Sequence, residues 1–101
     1  MSKFLVTYQG GSGPPANAEQ AEAIKAAFGK WLASAGSAVV DPGAPLSPAT
    51  QVANGSTMPH VAIGGYSVIE ASSVDEAKRI LQSHPFVARG GTLQVDEAVS
   101  I

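Results

Sequence analysis

Two histidines are the residues of this chain best suited to move a proton near neutral pH, since imidazole alone titrates there without help. His84 stands in Ser83-His84-Pro85, where a helix meets a loop. A helix C-terminus at that point would favour the charged ring, and the plainer role is capping. His60 follows Pro59 in a weakly patterned stretch and faces either inward or outward. Glu70 or Asp96 would be the carboxylate to set the tautomer and basicity of either histidine. Tyr8 and Tyr66 each join an apolar ring to a hydroxyl that can orient a polar ligand, with core packing as the alternative for both. The two histidines do not have metal-ligand spacing, no acidic cluster accompanies them, and there is no cysteine, so neither a metal site nor a cofactor is expected. The glycines of Gly10–Gly13 lead into two prolines without a following lysine, which does not make a phosphate loop. No serine has the setting of a nucleophile elbow.

The elements that must position these residues follow from periodicity. Lys3–Gln9 alternates, with Phe4, Val6 and Tyr8 on one face and Leu5, Thr7 and Gln9 on the other, as a strand does. Gly10 to Pro15 breaks it. Asn17 with Gln20 forms a capping box, and Ile24, Ala27, Phe28, Trp31, Leu32 and Ala35 recur at helical spacing, so a helix over 18–35 is expected, stopped by Gly36. Gly29 weakens that helix unless close packing requires it. Val39 and Val40 suggest a short edge strand interrupted by Pro42, Gly43, Pro45 and Pro48. Asn54-Gly55 signals a hairpin turn with Met58–Ile63 as its returning arm. Tyr66–Ala71 reads as a strand, Ser73 with Glu76 as the cap of a second helix buried through Val74, Ala77, Ile80 and Leu81, and His84-Pro85 as its end. Thr92–Asp96 alternates as the last strand, and Val99 and Ile101 in the tail suggest that it lies against something.

The order strand, helix, strand, strand, helix, strand, within 101 residues, predicts one α+β domain over 1–101: a ferredoxin-like βαββαβ antiparallel sheet with two helices on one face. Its other face would show Leu5, Thr7, Gln9, Thr92, Gln94 and Asp96, too apolar for a plainly solvated surface, which points to pairing with a second sheet in a homodimer. The composition agrees, with 45% hydrophobic and only 14% charged residues. The net charge of -2 is scattered, with no basic stripe for nucleic acid. No stretch reaches the roughly 20 apolar residues of a membrane span, no signal pattern is visible, and a cytoplasmic location is the expectation.

With Gly64-Gly65-Tyr66-Ser67-Val68-Ile69-Glu70-Ala71, Ser73-Val74-Asp75-Glu76-Ala77, Ser83-His84-Pro85 and Gly90–Val95 on the page, the chain resembles the YCII-related family, in its DGPF-type branch. Lys3–Gly10 and Ala33-Ser34-Ala35-Gly36 extend the likeness to the first half. The resemblance implies a dimeric α+β barrel enclosing a pocket. Two departures stand out. The Asp-Gly-Pro-Phe run that names the branch is missing around Asn54–Pro59, and the family's suspected acid-base pair, a histidine in the first helix and an aspartate before the proline, is replaced by about Lys25 and by His84. The functions in view are therefore cofactor-independent isomerase- or lyase-type chemistry on a small polar molecule, or non-catalytic binding or assembly, with cofactor-free monooxygenase chemistry resting on fold analogy alone.

Overall fold

The alternating segment near the N-terminus becomes the central strand of the protein. The computed structural model describes residues 1–11 and 15–101; Ser12, Gly13 and Pro14, in the break expected after the first strand, lie outside the described residues. The elements are β1 (Ser2–Gly10), α1 (Ala18–Ala35), a 3-10 turn (Gly36–Ala38), β2 (Val39–Pro45), β3 (Gly65–Ala71), α2 (Val74–Gln82), α3 (Pro85–Ala88) and β4 (Gly91–Glu97). The strands form one antiparallel sheet in the order β2-β3-β1-β4. This is a small α+β architecture compatible with the ferredoxin-like arrangement, but with three helices where two were expected.

Register separates the two faces as the alternation predicts. Phe4 pairs with Ile69 and Val6 with Ser67 and Val95 on the helix side. There Phe4, Val6, Ile69 and Ala71 form the core with Trp31 of α1 and Ala77 and Leu81 of α2. On the opposite side Leu5 lies between Val68 and Asp96, and Thr7 between Tyr66 and Gln94. Leu5 keeps 42% of its surface exposed even though it sits on the innermost strand.

Both long helices begin as their caps predict. Asn17 accepts the Gln20 N–H at 2.8 Å, and the Gln20 side chain reaches back to the Ala16 N–H. Ser73 accepts the Glu76 N–H at 3.1 Å, while the Glu76 carboxylate accepts from the Ser72 hydroxyl and N–H, which hold its pKa below the usual range. Trp31 ties the helices together by donating its indole N–H to the Ile80 carbonyl at 3.2 Å. Gly29 meets no packing need, because a Cβ there would face open space.

Three expectations are corrected. Val74 is 57% exposed rather than buried: it is the first residue of α2, directly after the Ser73 cap, and the buried side of the helix begins a turn later with Ala77 and Leu81. His84-Pro85 ends α2 but also begins α3, because the fixed φ of proline suits a first helical position. Met58–Ile63 is not a returning strand. Both edges of β3 are already paired, with β1 and β2, and β2, the strand that precedes this arm in the chain, is broken by register shifts on either side of Asp41. Residues 46–64 therefore form a largely exposed loop, closed at its base by the Leu46 N–H on the Gly64 carbonyl and the Gly64 N–H on the Tyr8 carbonyl, at 3.0 and 2.7 Å. In the tail, Val99 and Ile101 are exposed.

The irregularity of β2 has a local cause. Asp41 accepts the Gly43 N–H through its carboxylate at 2.8 Å, and Gly43 has φ 76°. A Cβ on Gly43 would lie 1.7 Å from the Tyr66 carbonyl oxygen, so only glycine permits this close approach. The bend turns the Pro42 carbonyl toward β3, where it meets Ser67.

Candidate functional site

A cavity of about 290 Å³ opens where α1, α3 and the bent part of β2 meet. Tyr8, Ile24, Lys25, Phe28, His84 and Arg89 line it, together with Pro42–Pro45 and Gly64–Tyr66. β1 supplies Tyr8 from its last inward position, the apolar stripe of α1 supplies Ile24 and Phe28, and the α2–α3 junction supplies His84.

His84 is 2% exposed. Its ring lies 4.4 Å from Trp31, 5.6 Å from Phe28 and, edge to face, 5.1 Å from Tyr8, centroid to centroid. Its Nδ1 accepts the Phe86 N–H at 3.0 Å, capping α3. Its Nε2 lies 3.0 Å from the Tyr8 hydroxyl, which lies 2.7 Å from Ser67 Oγ, and Ser67 donates to the Pro42 carbonyl at 2.8 Å.

The ends of this chain set its direction. A backbone N–H can only donate and a carbonyl can only accept. Ser67 therefore gives its proton to Pro42, accepts from Tyr8, and Tyr8 in turn accepts from His84 Nε2–H. His84 is thus a neutral imidazole with its proton on Nε2. Burial, joined by the charge of Arg89, pushes its pKa down from 6.5 to about 4. The expected charged form at a helix C-terminus is corrected accordingly: the ring caps the start of α3 in an aromatic enclosure. Burial likewise raises the Tyr8 pKa against the opposing effect of its bond to Ser67. No buried side-chain nitrogen or oxygen among the described residues is left unpartnered.

The remaining candidates lie elsewhere. His60 is exposed within the 46–64 loop and does not line the cavity. Tyr66 borders the cavity along β3, but its register opposite Thr7 sends the ring to the other face. Glu70, opposite Lys3, and Asp96, opposite Leu5, also belong to that outer face, where Asp96 accepts from Gln94 at 3.1 Å. Neither carboxylate meets His84 or His60, so the acid-base pair sought from the sequence does not form. Among the described residues no three His, Asp or Glu side chains are grouped to hold a metal.

Sequence reasoning passed over Ser67, Phe86 and Arg89. Ser67 had a signal: it occupies an inward position between Gly65 and Ile69 on a strand whose inner face is otherwise apolar, and a buried hydroxyl needs a partner. Arg89 looked like part of the Gly90-Gly91 turn. In the structure its guanidinium stands 5.7 Å from the centre of the Phe86 ring, which itself stacks on Tyr8 at 5.2 Å.

These features define a small α+β protein with a mostly apolar cavity closed by a buried, polarised hydrogen-bond chain. Neither the protein-family models nor the curated proteins contain a match to it. No helix among the described residues is long and apolar enough to cross a membrane.

Proposed function

We propose that this protein is a non-catalytic small-molecule-binding module whose ligand enters the Tyr8–His84 cavity. The observation that carries the reading is the occupation of both His84 ring nitrogens, by Phe86 and Tyr8, in a chain that ends on backbone groups. Such a histidine is neutral at pH 7, has no carboxylate to strengthen it, and acts as a wall rather than as a proton donor. Proton transfer to a small polar molecule is the second reading, favoured by one observation: the Tyr8 hydroxyl lines the cavity while bonded to His84.

The protein works, on this reading, as a homodimer of ferredoxin-like units whose uncovered sheet faces meet in an α+β barrel. Exposed Leu5 on a central strand, beside half-buried Val68 and Tyr66, supports that pairing. The resemblance to the YCII-related family is supported by the strand order and by the meeting of Lys25 and His84, the two positions of the family's pair, at one cavity.

Trp31, the single tryptophan, touches His84 and reports on the cavity. Small neutral and charged compounds should be titrated while Trp31 fluorescence and the amide signals of Ile24, Phe28 and Arg89 are followed. The binding reading expects saturable changes without turnover, abolished in Ile24→Trp, which fills the cavity. A complete lack of response to every compound refutes it, and product formation that disappears in Tyr8→Phe favours the second reading. For the dimer, Leu5→Glu should halve the mass measured by light scattering; an unchanged mass refutes pairing through this face.

A further inference from the structure

We infer that the ligand of this cavity is an organic anion, a small apolar body with one carboxylate-like head placed between Lys25 of α1 and Arg89 at the end of α3. The inference rests on the binding reading above. The cavity lining contains two charged side chains, both cationic, and no acid. That is a pronounced local bias in a protein with eight acids against six bases. Among the described residues the one ion pair joins Arg79 to Glu76, so Lys25 and Arg89 have no carboxylate partner. The other polar side chains at the wall, Tyr8 and His84, have already committed their protons to Ser67 and to Tyr8. The donors left for a ligand are therefore the ammonium of Lys25 and the guanidinium of Arg89, and both groups favour a carboxylate over a neutral amide.

The rest of the wall selects the body. Ile24, Phe28, Pro42, Pro45 and Pro85 offer carbon surface. The volume of about 290 Å³ is near the lower end of small-molecule pockets, about 300–1,000 Å³, which suits a compound of roughly one ring. Arg89 is held ready by its place over Phe86, whereas Lys25 is exposed and reaches in from the helix.

The test compares matched acids and amides, benzoate with benzamide and cyclohexanecarboxylate with its carboxamide, by NMR titration of the labelled protein at low salt. Each acid is expected to bind about tenfold more tightly than its amide, the effect of one charge-assisted contact. Lys25→Gln, a change on an exposed helix position, should remove about that factor from the acids and leave the amides unchanged. Added salt should weaken only the acids. Equal affinity of acid and amide, or indifference of the acids to Lys25→Gln, overturns the inference while leaving a binding pocket. Binding of neutral compounds alone has the same meaning. Failure of every compound, charged or neutral, to reach the cavity removes the binding reading and this inference together.

Discussion

Acidification should destabilise this protein through His84 before its carboxylates protonate. In the folded state the ring is neutral, with a pKa of about 4 against an ordinary 6.5. Between those values the unfolded chain binds the proton more readily than the native one, so stability rises with pH across that window. Above pH 6.5 the contribution is fully present; as pH falls toward 4 it is lost, and below 4 the loss stops growing. A displacement of that size corresponds to at most about 3 kcal/mol, a large share of the roughly 5–15 kcal/mol typical of a domain. Protonation also sets a second N–H on Nδ1 against the Phe86 N–H, which uncaps α3. Urea unfolding at half-unit steps from pH 7.5 to 4.5 measures the effect, and the stretch between 6.5 and 5 isolates it, because the lowered pKa of Glu76 places its own loss at lower pH. His84→Asn, which keeps an acceptor for Phe86 but cannot titrate, should flatten the profile there. A wild-type protein equally stable at pH 7 and pH 5, or a His84 ring signal that titrates above pH 6, refutes the assignment of a neutral, enclosed imidazole.

Other consequences can be measured in the same unfolding assay. Gly29→Ala should stabilise the protein by about 0.5–1 kcal/mol, since the new methyl meets open space and the helix loses its most flexible residue. Tyr8→Phe removes the hydroxyl between His84 and Ser67, strands a buried N–H, and should cost about 1–3 kcal/mol with the tautomer signal of His84 altered. Gly43→Ala drives a methyl into the Tyr66 carbonyl at a positive φ, so it should cost more than Gly29→Ala gains and should weaken amide protection in β2 while β1 and β4 stay protected.

What could be read from the sequence was whatever depends on neighbours along the chain. The limits of α1, both caps, the face of each residue in β1 and the burial of Trp31 all follow from periodicity and end chemistry, and the structure has them so. What escaped depends on groups far apart in sequence. The third helix was hidden because proline reads first as a stop, although it is also a good first helical residue. The arm at Met58–Ile63 was expected because Asn54-Gly55 is a strong turn signal, yet pairing also requires a free, regular edge, and local sequence carries no information about that. The same holds at the site. His84 and Tyr8 were candidates from residue type, but their enclosure, the role of Ser67 and the presence of Lys25 and Arg89 at one cavity depend on elements far apart in the chain coming together.

The pinched base of the 46–64 loop bears on how this protein tolerates change in length. Because Leu46 and Gly64 are already joined by a backbone hydrogen bond, the loop is an excursion that leaves the sheet and returns to the same place. The entropy of closing such an excursion grows only with the logarithm of its length, about 0.6 kcal/mol for each doubling. Insertions and deletions between those two residues are therefore nearly neutral for the sheet, and new chain termini placed within the loop would leave every strand pairing of the protein in register. Evolution or an engineer can lengthen, trim or decorate this segment while Tyr8, which accepts the Gly64 N–H through its backbone carbonyl, stays anchored at the cavity wall.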